Sequence, residues 1–198
     1  MTNRTRLIYS KRGGACFVPH IAMAQIFSRS ALRAGFELVM TQGFSPRAKI
    51  SFAPELPAGV IALNEPVDMF FTDNYANLVD LLNNSLPEGF NISRAYNVPD
   101  ESPSLGKMCK AAHYLIRIAN NNNNNIEDFT RKFFHENIIE INYKDDWLNL
   151  IIRDPAQNPI GSLVKNLVHE NIITGWQDIN IVRESIGLYE NGRVSLSA

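Results

Sequence analysis

The alternation of apolar and polar positions in the first half of the chain predicts a β-α-β-β-α-β order. Apolar and polar residues alternate over residues 6–10 with the period of a strand. Over residues 20–34 apolar side chains recur at helical spacing, and Gly35 is expected to end this helix. The elements that follow are strands at residues 36–41, 49–52 and 67–72, a helix at residues 75–86 and a strand at residues 90–98. If residues 36–52 form one interrupted strand, this is the order of a ferredoxin-like split βαβ unit.

The second half repeats the order after a candidate linker at residues 99–103, which contains two prolines. Its elements are strands at residues 113–119, 138–143, 147–153 and 179–184, with helices at residues 126–135 and 162–169. A run of six asparagines at residues 120–125 is expected to form a polar surface loop. The sequence therefore predicts an α+β fold of tandem ferredoxin-like (βαββαβ) subdomains, residues 1–103 and 104–198.

Composition places the chain among ordinary globular proteins. It has 198 residues, of which 45% are hydrophobic and 20% charged. No apolar run approaches the ~20 residues that span a bilayer, and the first residues lack the pattern of a secretory signal. We therefore expect a cytoplasmic protein without membrane contact.

The two cysteines, Cys16 and Cys109, lie far apart and match no metal-binding spacing. An iron–sulfur site of the radical SAM type needs three closely spaced cysteines, which this chain does not supply. We expect no metal and no cofactor on this chain.

A net charge of −1 conceals a strong asymmetry. Residues 1–52 carry eight cationic side chains against Glu37 alone, a balance of +7, whereas the rest carry 11 against 19, a balance of −8. Either one face of the protein meets an anionic partner, or the two parts pair with each other internally.

The richest segment for chemistry is residues 41–52, where aromatic and basic residues are interleaved. Gly43 permits a close backbone approach, Phe44 and Phe52 offer stacking faces, and Arg47 and Lys49 point the same way in an extended chain. Base stacking with phosphate neutralisation is what single-stranded nucleic acid requires. The alternative is that both phenylalanines belong to the core and the cations are merely solvated.

The helix at residues 20–34 adds a polar ridge, because Gln25, Arg29 and Arg33 recur at every fourth position. His20 opens this helix near Lys11 and Arg12, where it could act as a general base or contact a phosphate. A structural role at the helix start is the alternative. No phosphate loop, dinucleotide fingerprint or zinc-type histidine pair is present in the sequence.

These residues resemble the radical SAM-linked protein family, whose members are encoded beside, or fused to, a radical SAM protein with a cobalamin-type domain. The resemblance is specific over about residues 7–60. It is carried by Phe-Val-Pro-His at residues 17–20, by residues 31–35, 42–46 and 49–53, and by Leu56, Pro57 and Gly59. Where the family often has histidine and proline, this chain has Arg47 and Ala48, which leaves that loop a cation-based binding role.

Together these features predict an accessory protein of a radical SAM enzyme, not catalytic alone. It would bind RNA (tRNA or rRNA) or dock to the enzyme for an RNA-modification or RNA-processing step. One alternative is a metal-independent ribonuclease, with His20 as acid–base and Lys49 or Arg47 stabilising the developing charge; another is a pure protein–protein module. The residues expected to bind RNA or the partner are Lys11, Arg12, His20, Gln25, Arg29, Arg33, Gln42, Gly43, Phe44, Ser45, Arg47 and Lys49.

Overall fold

The protein is α+β, as expected, and is built on one mixed sheet. The computed structural model describes residues 3–118 and 123–196, within which there are nine strands and five helices. The strands are β1 (Asn3–Lys11), β2 (Ile50–Phe52), β3 (Ile61–Phe71), β4 (Phe90–Asn97), β5 (Ala111–Ile118), β6 (Ile138–Lys144), β7 (Trp147–Arg153), β8 (Ile179–Glu190) and β9 (Arg193–Ser195). The helices are α1 (His20–Arg33), α2 (Leu78–Ser85), α3 (Leu105–Met108), α4 (Asn123–Phe134) and α5 (Ile160–His169).

The strand order across the sheet is β4-β1-β3-β8-β5-β7-β6, with β2 paired to β3 and β9 paired to β8. Strands β1–β4 therefore occupy one side of the sheet and strands β5–β9 the other. The two sides join where β3 and β8 run parallel, with Ile61 opposite Val182 and Ala62 opposite Arg183. The other strand pairings are antiparallel.

Each side of the sheet has its own hydrophobic core. In α1 the buried positions Met23, Phe27 and Ala31 recur every fourth residue, and they belong to a cluster that includes Leu7 of β1 and Met69 of β3. A second cluster joins buried residues of β5–β8 with residues of α4 and α5. On the opposite side of α1, Ala24, Gln25 and Arg29 are exposed, and this side carries the candidate site.

Two of the predicted elements differ in the structure. Residues 36–41 make only isolated bridges, Leu38 to Phe71 and Met40 to Ala48, instead of a continuous strand. Residues 120–122 of the asparagine run lie outside the described residues, whereas residues 123–125 begin α4, so that part of the loop prediction is wrong.

A buried ion-pair network fixes the first strand to its neighbours. Arg4 and Arg6 both bind the Asp68 carboxylate. Arg4 Nη2 donates to Oδ2 at 2.7 Å, and Arg6 Nε donates to Oδ1 at 2.7 Å. Arg4 also donates to the carbonyl oxygens of Ser102 and Pro103, at 2.7 and 2.9 Å, which holds the linker against β1. Internal pairing therefore uses two of the eight cations of residues 1–52.

A second buried ion pair lies where the two sides of the sheet meet. Arg183 of β8 donates to both carboxylate oxygens of Glu65 in β3, at 2.7 and 2.6 Å, and to the Pro54 carbonyl at 3.0 Å. Burial alone would lower the pKa of Arg183, but the Glu65 charge outweighs it, so this pKa is raised. The guanidinium therefore stays charged while it is enclosed by protein.

Candidate nucleic-acid interface

The exposed side of α1 and the 41–48 loop enclose a cleft of about 410 Å³. The loop is closed at its base, since the Thr41 amide donates to the Arg47 carbonyl at 2.7 Å and the Arg47 amide donates to Thr41 Oγ1 at 3.1 Å. The residues that line the cleft are Ile21, Ala24, Gln25, Ser28, Arg47 and Ala48. The structure thus brings together Gln25 of the predicted ridge and Arg47 of the predicted loop.

The tip of the loop presents an aromatic ring to solvent. Phe44 is fully exposed, and Gln42, Gly43 and Ser45 beside it are exposed as well. Gly43 has a φ of 140°, a backbone conformation that glycine adopts without steric cost. Phe52, in contrast, packs edge-on against Phe27, with ring centroids 5.6 Å apart. The two phenylalanines therefore have separate roles, one at the surface and one against the core.

The cations of this region divide into solvent-facing and structural groups. Arg29 and Arg47 are exposed, and neither side chain makes an ion pair within residues 3–118 and 123–196. Lys49 is also exposed and places its Nζ 4.1 Å from the ring centroid of Phe70. Arg33 donates to the Ser85 carbonyl at 2.6 Å, at the end of α2, where this carbonyl also accepts from the Ser30 hydroxyl at 3.1 Å and a nearby cation is favourable.

The structure encloses Lys11, whereas it leaves Arg12 exposed. The Lys11 side chain is 3% exposed and donates to the Val18 carbonyl at 3.4 Å. Burial lowers the pKa of Lys11, an effect that the nearby Cys16 and Glu65 partly offset. Of the two, only the Arg12 side chain faces solvent, and its amide is held by the Gly89 carbonyl at 2.9 Å.

His20 lies outside the cleft, although the next residue, Ile21, lines it. The imidazole packs edge-on against Phe52, with centroids 5.6 Å apart. It borders a separate cavity of about 10 Å³, together with Lys11, Glu65 and Arg183. Such a cavity has room for no more than about one water molecule.

A His–Glu pair that the sequence did not single out lies on the other side of the sheet. His113 Nδ1 contacts the Glu184 carboxylate, and both line a cleft of about 490 Å³ with Lys144 and Arg193. The two residues are 71 positions apart, on β5 and β8, so that only strand pairing brings them together. The sequence showed only that each is a polar residue on a predicted strand, which does not indicate that the two are partners.

Three further features concern the cysteines, possible metal ligands and the helices. Both cysteines are buried, and burial raises the pKa of Cys109 to about 12. Across the part of the chain that the structure describes, no group of three or more His, Cys, Asp or Glu side chains is placed to hold a metal ion. The helices in that part are too short or too polar to cross a membrane.

The chain is similar to a family of bacterial proteins. The model of a family described as uncharacterized protein conserved in bacteria (DUF2344) matches residues 4–148, which include β1, α1, the 41–48 loop and most of the sheet. No curated protein matches the chain.

Proposed function

Since the chain belongs to the DUF2344 family of uncharacterized bacterial proteins, we propose its function from its own geometry: it is a cytoplasmic accessory protein that binds RNA through α1 and the 41–48 loop. The RNA would be tRNA or rRNA, presented to an enzyme that modifies or processes it. The observation that carries this proposal is the fully exposed Phe44 on a loop whose Arg47 lines the same cleft as Gln25 of α1. A free aromatic ring with unpaired cations suits base stacking and phosphate binding.

We propose a radical SAM enzyme as the partner, and this part rests on the sequence resemblance over residues 7–60. Iron–sulfur and SAM chemistry would belong to the partner, because this chain has only two cysteines and both are buried. We also propose that residues 1–103 and 104–198 form two ferredoxin-like subdomains. Their strand orders support this, since each half places its own strands in the order fourth, first, third, second.

Docking to a protein surface is a second candidate for the same face. The observation in its favour is apolar exposure: Ile21, which lines the cleft, is 90% exposed, and Met40, which pairs with Ala48 of the cleft lining, is 51% exposed. Exposed apolar side chains in a cation-rich segment also suit an acidic partner protein. The ribonuclease alternative receives no such support, because His20 lies away from the cleft.

A salt titration of binding to bulk tRNA and rRNA fragments tests the RNA proposal. Each phosphate contact to a single strand adds about 0.7 to the slope of log affinity against log salt. Replacing Arg47 and Lys49 together by Ala should therefore reduce the slope by about 1.4. Phe44→Ala should weaken binding by about 1–3 kcal/mol with little change in slope, because stacking releases no counterions.

The matched control replaces two exposed cations elsewhere, Lys132 of α4 and Lys165 of α5, by Ala. Thermal melts confirm that each variant is folded, as expected for exposed charges. If the Arg47/Lys49 variant keeps the native affinity and slope, the RNA-binding face is assigned wrongly and docking to an acidic protein becomes the better explanation.

A further inference from the structure

We propose that the cleft between α1 and the 41–48 loop holds one unpaired nucleobase, so that the RNA is recognised in a loop, bulge or end and not in a duplex. This inference rests on the proposed RNA binding and names the structure of the RNA that this face selects. Its starting point is the cleft itself, whose volume of about 410 Å³ falls within the ~300–1,000 Å³ range of small-ligand sites.

The walls of the cleft suit the flat faces of a base. Ile21, Ala24 and Ala48 supply apolar surface, and the two alanines are small enough to leave the space open. Ile21 is 90% exposed, so a base that covered it would remove apolar surface from water. A duplex offers no base face to such a cleft, because its bases are stacked on one another.

The polar groups of the cleft suit the edge of a base. The Gln25 side-chain amide makes no hydrogen bond to another group within the described residues and offers donors beside an acceptor. The Ser28 hydroxyl donates to the Gln25 carbonyl at 3.1 Å, which leaves its oxygen free to accept. An amide and a hydroxyl can pair with the hydrogen-bonding edge of an unstacked base.

The rim of the cleft suits the backbone and the next base of the strand. Arg47 lines the cleft and is exposed, and its guanidinium is free of ion pairs in the described part of the chain, so it can bind a phosphate or stack on the base. Phe44 is three residues away, within about 11 Å along the chain, and its ring is free for a neighbouring base. One side of the protein thus combines a base cleft, a phosphate contact and a stacking ring.

The experiment compares a fluorescent RNA hairpin that has a seven-nucleotide loop with a blunt duplex of equal phosphate number. Binding of the native protein should favour the hairpin by about tenfold or more. Ala24→Trp should fill the cleft and reduce that preference to the part that Phe44 stacking supplies, while the salt slope is kept, because no cation is changed. Ala24 is exposed on α1, and the control is Lys132→Trp at an exposed position of α4, which should behave like the native protein.

The outcomes separate this inference from the proposal on which it rests. A native protein that binds hairpin and duplex equally, with a normal salt slope, overturns the base cleft and leaves RNA binding intact. An Ala24→Trp variant that keeps the full hairpin preference also overturns it. Absence of binding to either RNA overturns both. A 2-aminopurine in the loop, whose fluorescence changes with the native protein and not with Ala24→Trp, supports the cleft directly.

Discussion

Replacing Glu65 by Gln should destabilise the fold strongly, because it leaves the Arg183 guanidinium buried without its counter-charge. The Arg183 side chain is 1% exposed and makes its two shortest contacts, 2.7 and 2.6 Å, to the Glu65 carboxylate. The contacts of Arg183 to the Pro54 and Glu55 carbonyls would remain, at 3.0 and 3.4 Å, but these groups carry no full charge.

Breaking a buried pair by removing one partner costs about 3–5 kcal/mol. Glutamine keeps one acceptor oxygen, so we expect the lower end, about 3 kcal/mol. With a urea m-value of about 3 kcal/mol/M, the upper end of the usual range, the unfolding midpoint should fall by about 1 M. Equilibrium urea unfolding, followed by circular dichroism and by tryptophan fluorescence, measures this shift.

The control is the same substitution in an exposed pair, Glu127→Gln, which faces Arg131 one turn along α4. That pair should contribute at most about 0.5 kcal/mol. A double variant with Met at both 65 and 183 removes both charges and should recover most of the lost stability. Two results would refute the reasoning: a loss for Glu65→Gln no greater than for Glu127→Gln, or a double variant as unstable as the single one.

Three further outcomes are expected. Gly89→Ala should cost more than about 1 kcal/mol in urea unfolding, since φ is 89° and the added Cβ would lie 2.5 Å from the Arg12 carbonyl; Gly106→Ala, with no atom within 4 Å, should be nearly neutral. Because burial raises the pKa of Cys109 to about 12, iodoacetamide at pH 8 should alkylate it only in denaturant, and rapid labelling of the native protein would contradict this. Lys11→Met should raise the melting temperature at neutral pH, because the lowered pKa of Lys11 means that its charge opposes folding there. The gain should fade as pH rises through about 10.5, the ordinary lysine pKa, above which lysine is neutral in the unfolded chain too; melts at neutral pH and above pH 10.5 test it.

Elements with a strong local signal were predicted closely. The helix expected at residues 20–34 is α1 (His20–Arg33), and Gly35 follows it with a left-handed φ of 82°. The strand expected at residues 147–153 is β7 (Trp147–Arg153). Residues 36–41 were predicted less well, because their pairing depends on Phe71 and Ala48, which local alternation does not reveal.

The same division holds for the candidate site. The sequence by itself determined that aromatic and basic residues are interleaved on the 41–48 loop and that Gln25 and Arg29 share one face of a helix. Only the tertiary structure decided that Gln25 and Arg47 line one cleft, that Arg33 is bound to the end of α2, and that Lys11 is enclosed.

The physical reason is that the identity of a residue fixes its charge and hydrogen-bonding groups, whereas its contacts come from residues that are distant in the sequence. A charge becomes a surface feature or half of a buried pair according to which strand lies beside it, and Arg183 and Glu65 meet across 118 residues of sequence. Which residues face each other is decided by the pairing and register of the strands. That register depends on the apolar surface buried in both cores together, which no short stretch of sequence reveals.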